Sequence, residues 1–216
     1  MIVGIRGVLF DLDGTLADTE RLHWQAFNVV LAEFGVQVDI EEYRRHWIAV
    51  DGGPEYACRT YALPLAPADL KQRKMERYRA RLAQGVDPMP GARAAVARLH
   101  TGFRLAVATN STRADASRIL AHIGLADQLD ALVGREDYAT AKPAPDAYLA
   151  AARALGLAPD ECVVVEDTAR GVRSGVAAGM LVVAAPSDLT FDNDFTGAAR
   201  TIDSLDALTP ELLRGL

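Results

Sequence analysis

The sequence has little of several features that would indicate a membrane, a nucleic acid or an oxidising compartment. Aromatic residues make up 6% of its 216 residues, and the two cysteines, Cys58 and Cys162, have neither metal-binding nor disulfide-framework spacing. Arg6 and Asp11 interrupt the apolar run near the N-terminus, which argues against a signal peptide there. No segment is long enough to span a bilayer. The net charge of -6 argues against general nucleic-acid binding. We therefore expect a cytoplasmic protein, monomeric by default, that binds neither membranes nor nucleic acid.

Apolar residues, by contrast, are plentiful, at 50% of the chain, and their pattern predicts a fold class. Short apolar runs predict strands over residues 3–10, 104–109, 131–134, 162–166 and 181–185. Helical patterns lie between them, over residues 92–99, 114–123, 145–155 and 169–178. Strands that are apolar on both faces and alternate with helices indicate a parallel sheet covered on both sides. The prediction is a doubly wound, Rossmann-like α/β domain, which binds ligands at the carboxyl ends of its strands.

One long segment breaks this alternation and predicts an inserted helical domain. Helical patterns cover residues 20–34, 40–47, 55–61 and 68–82. The predicted domains are therefore a core of residues 1–16 and 87–216 and a helical cap of residues 17–86. Because the insertion begins next to the first strand's end, we expect it to act as a lid over a site there.

An acidic motif follows the first predicted strand directly. In the sequence DLDGT, Asp11 and Asp13 stand two residues apart and Gly14 provides a turn. Two carboxylates in a partly dry site repel each other, so they imply either a bound cation or a raised pKa. By itself, an Asp-Gly pair could also be an ordinary turn.

Three further polar segments end predicted strands and should lie at the same edge of a parallel sheet. They are Thr109-Asn110-Ser111, Lys142-Pro143 and Glu166-Asp167. Together with Asp11 and Asp13 they supply a nucleophile, hydroxyl and amide donors, a fixed cation and a metal-binding carboxylate. Phosphoryl transfer needs these parts, because its transition state gathers charge on the phosphoryl oxygens.

These four segments resemble, in order, the motifs of the haloacid dehalogenase superfamily of hydrolases, in the subgroup with a helical cap. The matching sequences are DLDGT, VATNS, AKPAPDAY and VVVEDTARGV, within residues 7–180. The resemblance implies that Asp11 is a nucleophile that forms an aspartyl-phosphate. It implies that Asp13 is the general acid and base, and that Lys142 stabilises the charge of nucleophile and phosphate.

The same resemblance implies a Mg²⁺ site and a phosphoryl-binding set. Asp11, the backbone carbonyl of Asp13, and Asp167 would hold the metal. Glu166 could bind the metal, support it indirectly or orient Lys142, and the sequence leaves these alternatives open. Thr109 and the Asn110 amide would bind the phosphoryl oxygens.

Within the predicted cap, two residues resemble substrate-binding positions of the β-phosphoglucomutase-like branch. His23 lies where that branch has a hinge histidine, and Lys74 lies in a pattern, RKxxxY, whose lysine grips a remote substrate phosphate. Both could instead be ordinary helix-surface residues. Thr15, which follows Gly14, completes the predicted substrate-binding set.

The expected activity is a phosphatase of small phosphorylated metabolites, such as sugar phosphates, with a phosphosugar mutase as the alternative. Mutases of the branch carry an arginine where this chain has Asp51-Gly52-Gly53-Pro54-Glu55, and often valine where it has Thr15. Both departures favour the phosphatase. A second resemblance, to xylulose-bisphosphate phosphatases, covers the end of the cap, the KPAPDAY segment and residues 186–198. A phosphorylation-switch protein of the receiver type is a third hypothesis, against which the cap and Asp13 argue.

Overall fold

A computed structural model describes residues 4–48 and 53–216 of the chain. Residues 49–52 lie outside the described part, so the structure does not address the absence of a cap arginine at Asp51 and Gly52. Contacts divide the chain into two compact units. The core unit is Met1–Asp18 with Asp87–Leu216, and the helical unit is Thr19–Val86.

The core unit contains a parallel sheet that, within the described residues, has six strands. The strands are β1 (Gly7–Phe10), β2 (Arg104–Ala108), β3 (Ala131–Val133), β4 (Cys162–Glu166), β5 (Leu181–Ala184) and β6 (Arg200–Thr201). Their order across the sheet is β3-β2-β1-β4-β5-β6, with every neighbouring pair parallel. This arrangement confirms the predicted doubly wound α/β fold. It places β1 at the centre, where the strand order reverses and ligands bind in such sheets.

Helices of the core unit follow the predicted alternation closely. They are α5 (Ala92–Leu99), α6 (Arg113–His122), α7 (Asp146–Leu155), α8 (Ala169–Ala177) and α9 (Pro210–Arg214), numbered in chain order after α1 to α4, which the described part of the other unit contains. The central strands β1 and β4 are buried along their whole length, since helices cover both faces. Tyr148, Ala151 and Leu155 of α7 pack with Leu9 and Val164 of the sheet in one apolar cluster.

Two elements at the C-terminal end of the chain did not appear in the sequence pattern. The strand β6 has only two residues, both exposed, and α9 has five. Neither offers the apolar run or the full helical period that a sequence-based prediction needs.

The helical unit consists of α1 (Thr19–Leu31), α2 (Ile40–Tyr43), α3 (Gly53–Thr60) and α4 (Pro67–Leu82). Two of the predicted helices end in a different geometry. The first continues from Leu31 as a 3₁₀ turn and stops at Gly35. The φ of Gly35 is 71°, in the left-handed region that glycine adopts more easily than other residues. The second continues as a π-helical turn over Arg44–Ile48. Phe27, Tyr43 and Trp47 form the aromatic centre of this unit's own apolar core.

The two chain segments that connect the units, near Asp18 and near Asp87, are hydrogen-bonded to each other within the core unit. The Asp18 N–H donates to the Asp87 carbonyl, and Ala17 forms an antiparallel bridge with Pro88. No helix in the described part of the chain has the length and apolar composition that crossing a membrane requires.

Candidate active site

Polar residues of three neighbouring strands meet at one edge of the sheet. Asp11 follows β1, Thr109 follows β2, and Glu166 ends β4. Because β2 and β4 flank β1 in parallel register, the carboxyl ends of these strands lie side by side. The sequence therefore delivers the predicted residues to one place through the strand order of the sheet.

Lys142 links two of these strand ends. Its Nζ donates to Asp11 Oδ1 at 2.6 Å, to Glu166 Oε1 at 2.8 Å and to the Tyr148 hydroxyl at 2.7 Å. The lysine is 5% exposed, and these contacts use all three of its donors. The ammonium is thus held in one orientation between the two carboxylates.

The Glu166 carboxylate is surrounded by donors on both oxygens. Oε1 accepts from Lys142 and from Tyr148 O–H at 2.9 Å, and Oε2 accepts from the Asp167 and Thr168 N–H groups and the Thr168 hydroxyl, each at 3.0 Å. It also packs against the first turn of α8, where a Cβ on Gly171 would lie 1.7 Å from Oε1. The glycine is required there, because any side chain would occupy the position of the carboxylate.

Asp167 brings a third acidic group to the same place. Its Oδ1 accepts from the Thr15 hydroxyl at 3.1 Å, and a Cβ on Gly14 would lie 2.4 Å from its Oδ2. Gly14 also has a φ of 87°, so both its backbone and its close approach to Asp167 favour glycine. Thr15, predicted to bind substrate, therefore contacts this carboxylate.

Asp11, Glu166 and Asp167 each offer an oxygen within 4.8 Å of the others, so this acidic group could hold a metal ion. The three carboxylates carry three formal negative charges and the adjacent Lys142 carries one positive charge, so the site has an excess of two negative charges. A divalent cation with oxygen ligands fits that charge and donor set. The Asp13 side chain is not in the group, and its predicted metal contact is through the backbone carbonyl.

The pKa values of these residues reflect burial and mutual interaction. Burial raises the pKa of Asp11 to about 8, since Lys142 offsets only part of the effect and Glu166 adds to it. Burial acts on Glu166 too, but Lys142 and the donors around it hold its pKa below 4.5. The two carboxylates raise the pKa of Lys142 above 10.5 against the effect of its burial. A divalent cation would lower the pKa of Asp11 and favour its ionised, nucleophilic form.

Asp13 lies beside the end of β2. Its Oδ2 accepts from the hydroxyls of Thr109 and Ser111, each at 2.8 Å, and the Thr109 hydroxyl accepts from the Ser111 N–H at 2.9 Å. Asp13 is half-buried, whereas Thr109 is fully buried. The predicted general acid is therefore held by two residues of the VATNS motif.

Asn110 is held through its side-chain oxygen. Asn110 Oδ1 accepts from the Lys142 N–H at 3.3 Å and lies 2.8 Å from the Tyr138 hydroxyl. The same hydroxyl lies 2.8 Å from the Thr109 carbonyl oxygen. Asn110 is thereby connected to both β2 and the segment that carries Lys142.

The other two predicted substrate-binding residues, His23 and Lys74, lie together in the helical unit. Lys74 Nζ is 2.6 Å from His23 Nδ1, and the imidazole stacks on Tyr78 with ring centroids 4.0 Å apart. Burial and the lysine hold the pKa of His23 well below 6.5. A neutral imidazole accepts a hydrogen bond from Lys74 at Nδ1 and carries its proton on Nε2.

Several residues that contact the predicted set were not among its members, and four of them are Ser111, Tyr148, Gly171 and Tyr138. Ser111 and Tyr148 stand inside the quoted motifs, so the motif sequences were the available signal. Gly171 also stands in a quoted motif, VVVEDTARGV, whereas Tyr138 lies outside all four motifs. The close approach of Gly171 to Glu166 and the hydrogen bond of Tyr138 to Asn110 are visible only in the folded structure.

Comparisons with known proteins identify relatives of this chain. The sequence profile described as haloacid dehalogenase-like hydrolase matches residues 5–179. Protein CbbY of Rhodobacter capsulatus is 35% identical over 97% of both chains. Fructose-1-phosphate phosphatase YqaB of Escherichia coli is 37% identical over 81% of this chain and 93% of its own. A crystal structure of mutant CbbY from Rhodobacter sphaeroides with xylulose-(1,5)bisphosphate is 33% identical, covering 94% of this chain and 96% of that one, with a TM-score of 0.79.

Proposed function

Because the chain belongs to the haloacid dehalogenase-like hydrolase family, we propose that it is a Mg²⁺-dependent phosphatase of small phosphorylated metabolites, with sugar phosphates as substrates. The observation that carries this proposal is the Lys142 ammonium between Asp11 and Glu166, beside the acidic group at the strand ends. Relatives named for sugar-phosphate hydrolysis support a phosphatase more than a mutase.

The proposed reaction has two displacements at phosphorus. An Asp11 carboxylate oxygen attacks the phosphoryl group, the ester P–O bond breaks, and Asp13 gives a proton to the departing alcohol oxygen. Asp13 then accepts a proton from a water molecule, which attacks the phosphorus of the aspartyl-phosphate. The Asp11–phosphorus bond breaks, and inorganic phosphate leaves.

Other residues of the site would hold charge and orientation. Lys142 would stabilise the charge of Asp11 and of the phosphoryl group next to it, and Glu166, whose oxygens are already surrounded by donors, would orient Lys142. Thr109 and Asn110 would donate to the phosphoryl oxygens. Asp11 and Asp167, with the Asp13 carbonyl, would hold Mg²⁺. When bound, this ion would stabilise the negative charge of the phosphoryl oxygens.

The helical unit is proposed to be a cap that supplies substrate contacts. His23 and Lys74 form a close pair, with a buried ammonium and an imidazole that offers its Nε2–H. An ammonium suits a second phosphate and an imidazole N–H suits a sugar hydroxyl. The bisphosphate bound by the CbbY structure contains both groups.

We propose a cytoplasmic, monomeric enzyme. Cys162 is buried within β4, Cys58 is partly buried, and neither is in a disulfide. Unpaired cysteines suit a reducing compartment.

Phosphate release tests the activity directly. The wild-type protein should release phosphate from fructose 1-phosphate or xylulose 1,5-bisphosphate with Mg²⁺ and not with EDTA, and Asp11→Asn should abolish release. Asp127→Asn, at an exposed position of the core unit, is the matched control and should keep full activity. Absence of release across a broad panel of sugar phosphates would contradict a phosphatase. Isomerisation of glucose 1-phosphate after priming with a bisphosphate would indicate a mutase.

The aspartyl-phosphate can be tested separately with Asp13→Asn and p-nitrophenyl phosphate. The p-nitrophenolate leaving group needs little protonation, so the first displacement should proceed while the second is impaired. We expect a burst of one equivalent of p-nitrophenol and a protein whose mass has increased by one phosphoryl group. An unphosphorylated Asp13→Asn protein after the burst would contradict the covalent step.

A further inference from the structure

The Tyr138 hydroxyl lies between two oxygen atoms that belong to amide groups of the site. It is 2.8 Å from the Thr109 carbonyl oxygen and 2.8 Å from Asn110 Oδ1. The residue is 9% exposed, so water has little access to replace these contacts. Burial raises the pKa of Tyr138 above 10, so the phenol keeps its proton and can donate it to either oxygen.

These two oxygens determine the direction of two N–H donors. The Thr109 carbonyl and the Asn110 N–H belong to the same trans peptide group, in which they point in opposite directions. Within the Asn110 side chain, the Oδ1 oxygen and the NH₂ group likewise diverge from one carbon. A hydroxyl that contacts both oxygens, and donates its one proton to either, therefore favours an arrangement with the backbone N–H and the side-chain NH₂ of Asn110 on the opposite side.

Tyr138 is itself held firmly. The Arg135 guanidinium lies 5.1 Å from the centre of the tyrosine ring, and its Nη1 and Nη2 donate to the Tyr138 and Ala139 carbonyls at 2.8 and 3.0 Å. A short distance along the chain, the Lys142 N–H donates to Asn110 Oδ1. The segment that carries Lys142 is thus connected to the segment that carries Asn110 at two points.

We propose that Tyr138 is a positioning residue, which aims the backbone and side-chain amides of Asn110 at the transferring phosphoryl group. The inference rests on the proposed phosphatase function and adds a specific residue to it. Tyr138 contacts the oxygen ends of the two amides and donates its one proton to either of them, while their N–H ends bind the phosphoryl oxygens. Both amides are then oriented before substrate arrives, which is how preorganised donors stabilise developing charge.

Tyr138→Phe removes the hydroxyl and keeps the ring. We expect kcat/KM for the preferred sugar phosphate to fall about three- to tenfold, the range for loss of one buried neutral hydrogen bond. The inhibition constant of orthovanadate, which presents oxygens like those of the transferring phosphoryl group, should rise by a similar factor. Tyr56→Phe removes a hydroxyl that contacts Glu42 in the helical unit and should change neither value. Melting temperatures of both variants would show whether they are folded at the assay temperature.

A double-mutant cycle distinguishes positioning of Asn110 from general support of the fold. If Tyr138 acts through Asn110, the Asn110→Ala, Tyr138→Phe double variant should lose less than the product of the two single losses. Losses that multiply, or an active Tyr138→Phe protein with unchanged kcat/KM and orthovanadate inhibition, would overturn the inference. A wild-type protein without phosphatase activity would instead refute the proposed function, so the two failures are distinguishable.

Discussion

Gly171 of α8 packs directly against the Glu166 carboxylate, which in turn accepts a hydrogen bond from Lys142. The packing of α8 at Gly171 therefore affects the orientation of Lys142. A Cβ at this position would be 1.7 Å from Glu166 Oε1 and 1.8 Å from the carboxyl carbon. The carboxylate is also held by five donor contacts, so it has no second position with the same partners. Steric exclusion here would therefore displace the group that holds Lys142.

We predict that Gly171→Ala lowers both activity and stability. Phosphatase turnover should fall at least about tenfold because Lys142 loses its orientation, and the free energy of unfolding should fall by about 1–3 kcal/mol, as for other overpacked sites. Steady-state kinetics and urea denaturation would measure the two effects. Gly102→Ala is the matched control, since a Cβ there meets no atom within 4 Å. Full activity in Gly171→Ala would argue against the orienting role of Glu166.

Thr15 supports the acidic group through a single hydroxyl. Its Oγ1 donates to Asp167 Oδ1, one of the carboxylates that could bind the metal. Loss of a group that orients a metal ligand typically lowers metal affinity or activity. Thr15 therefore has a role that can be separated from direct contact with substrate.

Thr15→Val should weaken the apparent affinity for Mg²⁺ by about ten- to a hundredfold. The turnover number at saturating Mg²⁺ should change much less, and the KM for substrate should be nearly constant. Titration of phosphatase activity with Mg²⁺ would measure this, with Thr101→Val, at an exposed position, as the control. A raised KM with unchanged Mg²⁺ affinity would favour direct substrate binding by Thr15.

Strand β4 contains a buried cysteine, Cys162, so the effect of burial on thiol reactivity can be measured there. All five of its residues are buried, because it lies in the sheet between β1 and β5 with helices on both faces. Cys162 begins this strand and is 1% exposed. Burial raises the pKa of its thiol to about 11, with smaller contributions from Glu161 and Asp160.

We predict that iodoacetamide modifies Cys162 only after β4 unfolds. With a pKa of about 11, about one thiol in a thousand is ionised at pH 8, and that fraction is shielded by the sheet. The partly buried Cys58 should react first, although burial raises its pKa as well. Mass spectrometry after timed alkylation, with and without urea, would measure both sites. Rapid modification of Cys162 in a native Cys58→Ser variant would contradict the prediction.

The whole core unit's stability should depend on pH through Asp11. Its pKa is about 8 in the folded protein and about 3.8 when exposed, so between these values the folded state binds more protons than the unfolded state. The contribution of Asp11 to folding stability is fully present below pH 3.8 and is lost as the pH rises through about 8. His23 has the opposite shift, but its ordinary pKa is 6.5, so its effect is smaller above pH 7.

In EDTA, we therefore expect the wild-type protein to lose more stability between pH 7 and pH 8 than Asp11→Asn does. Thermal or urea denaturation at these two pH values would measure the difference. Addition of Mg²⁺ should reduce the pH dependence of the wild-type protein, since a bound cation lowers the pKa of Asp11. Equal pH dependence in both proteins would show that Asp11 is not the titrating group.

The sequence by itself determined the strand–helix alternation, the helical insertion and the four polar segments. Apolar runs and turn residues are local, so β4, α5 and the ends of β2 and β5 could be predicted to within one residue. The resemblance of the four motifs to a known family then assigned the family, which the profile match confirms. The two-residue β6 and the short α9 could not be predicted, because such elements have too little local pattern.

Only the tertiary structure decided how the site is held together. Lys142 is 131 residues from Asp11 and 24 from Glu166. The three meet because β4 lies beside β1, and the segment between β3 and α7 carries Lys142 to the same strand ends. The need for glycine at residue 171 depends on where the Glu166 carboxylate is held, and the contact of Tyr138 with Asn110 joins residues 28 apart in the chain. A sequence pattern states which chemical groups are present, whereas distances and burial decide which of them interact.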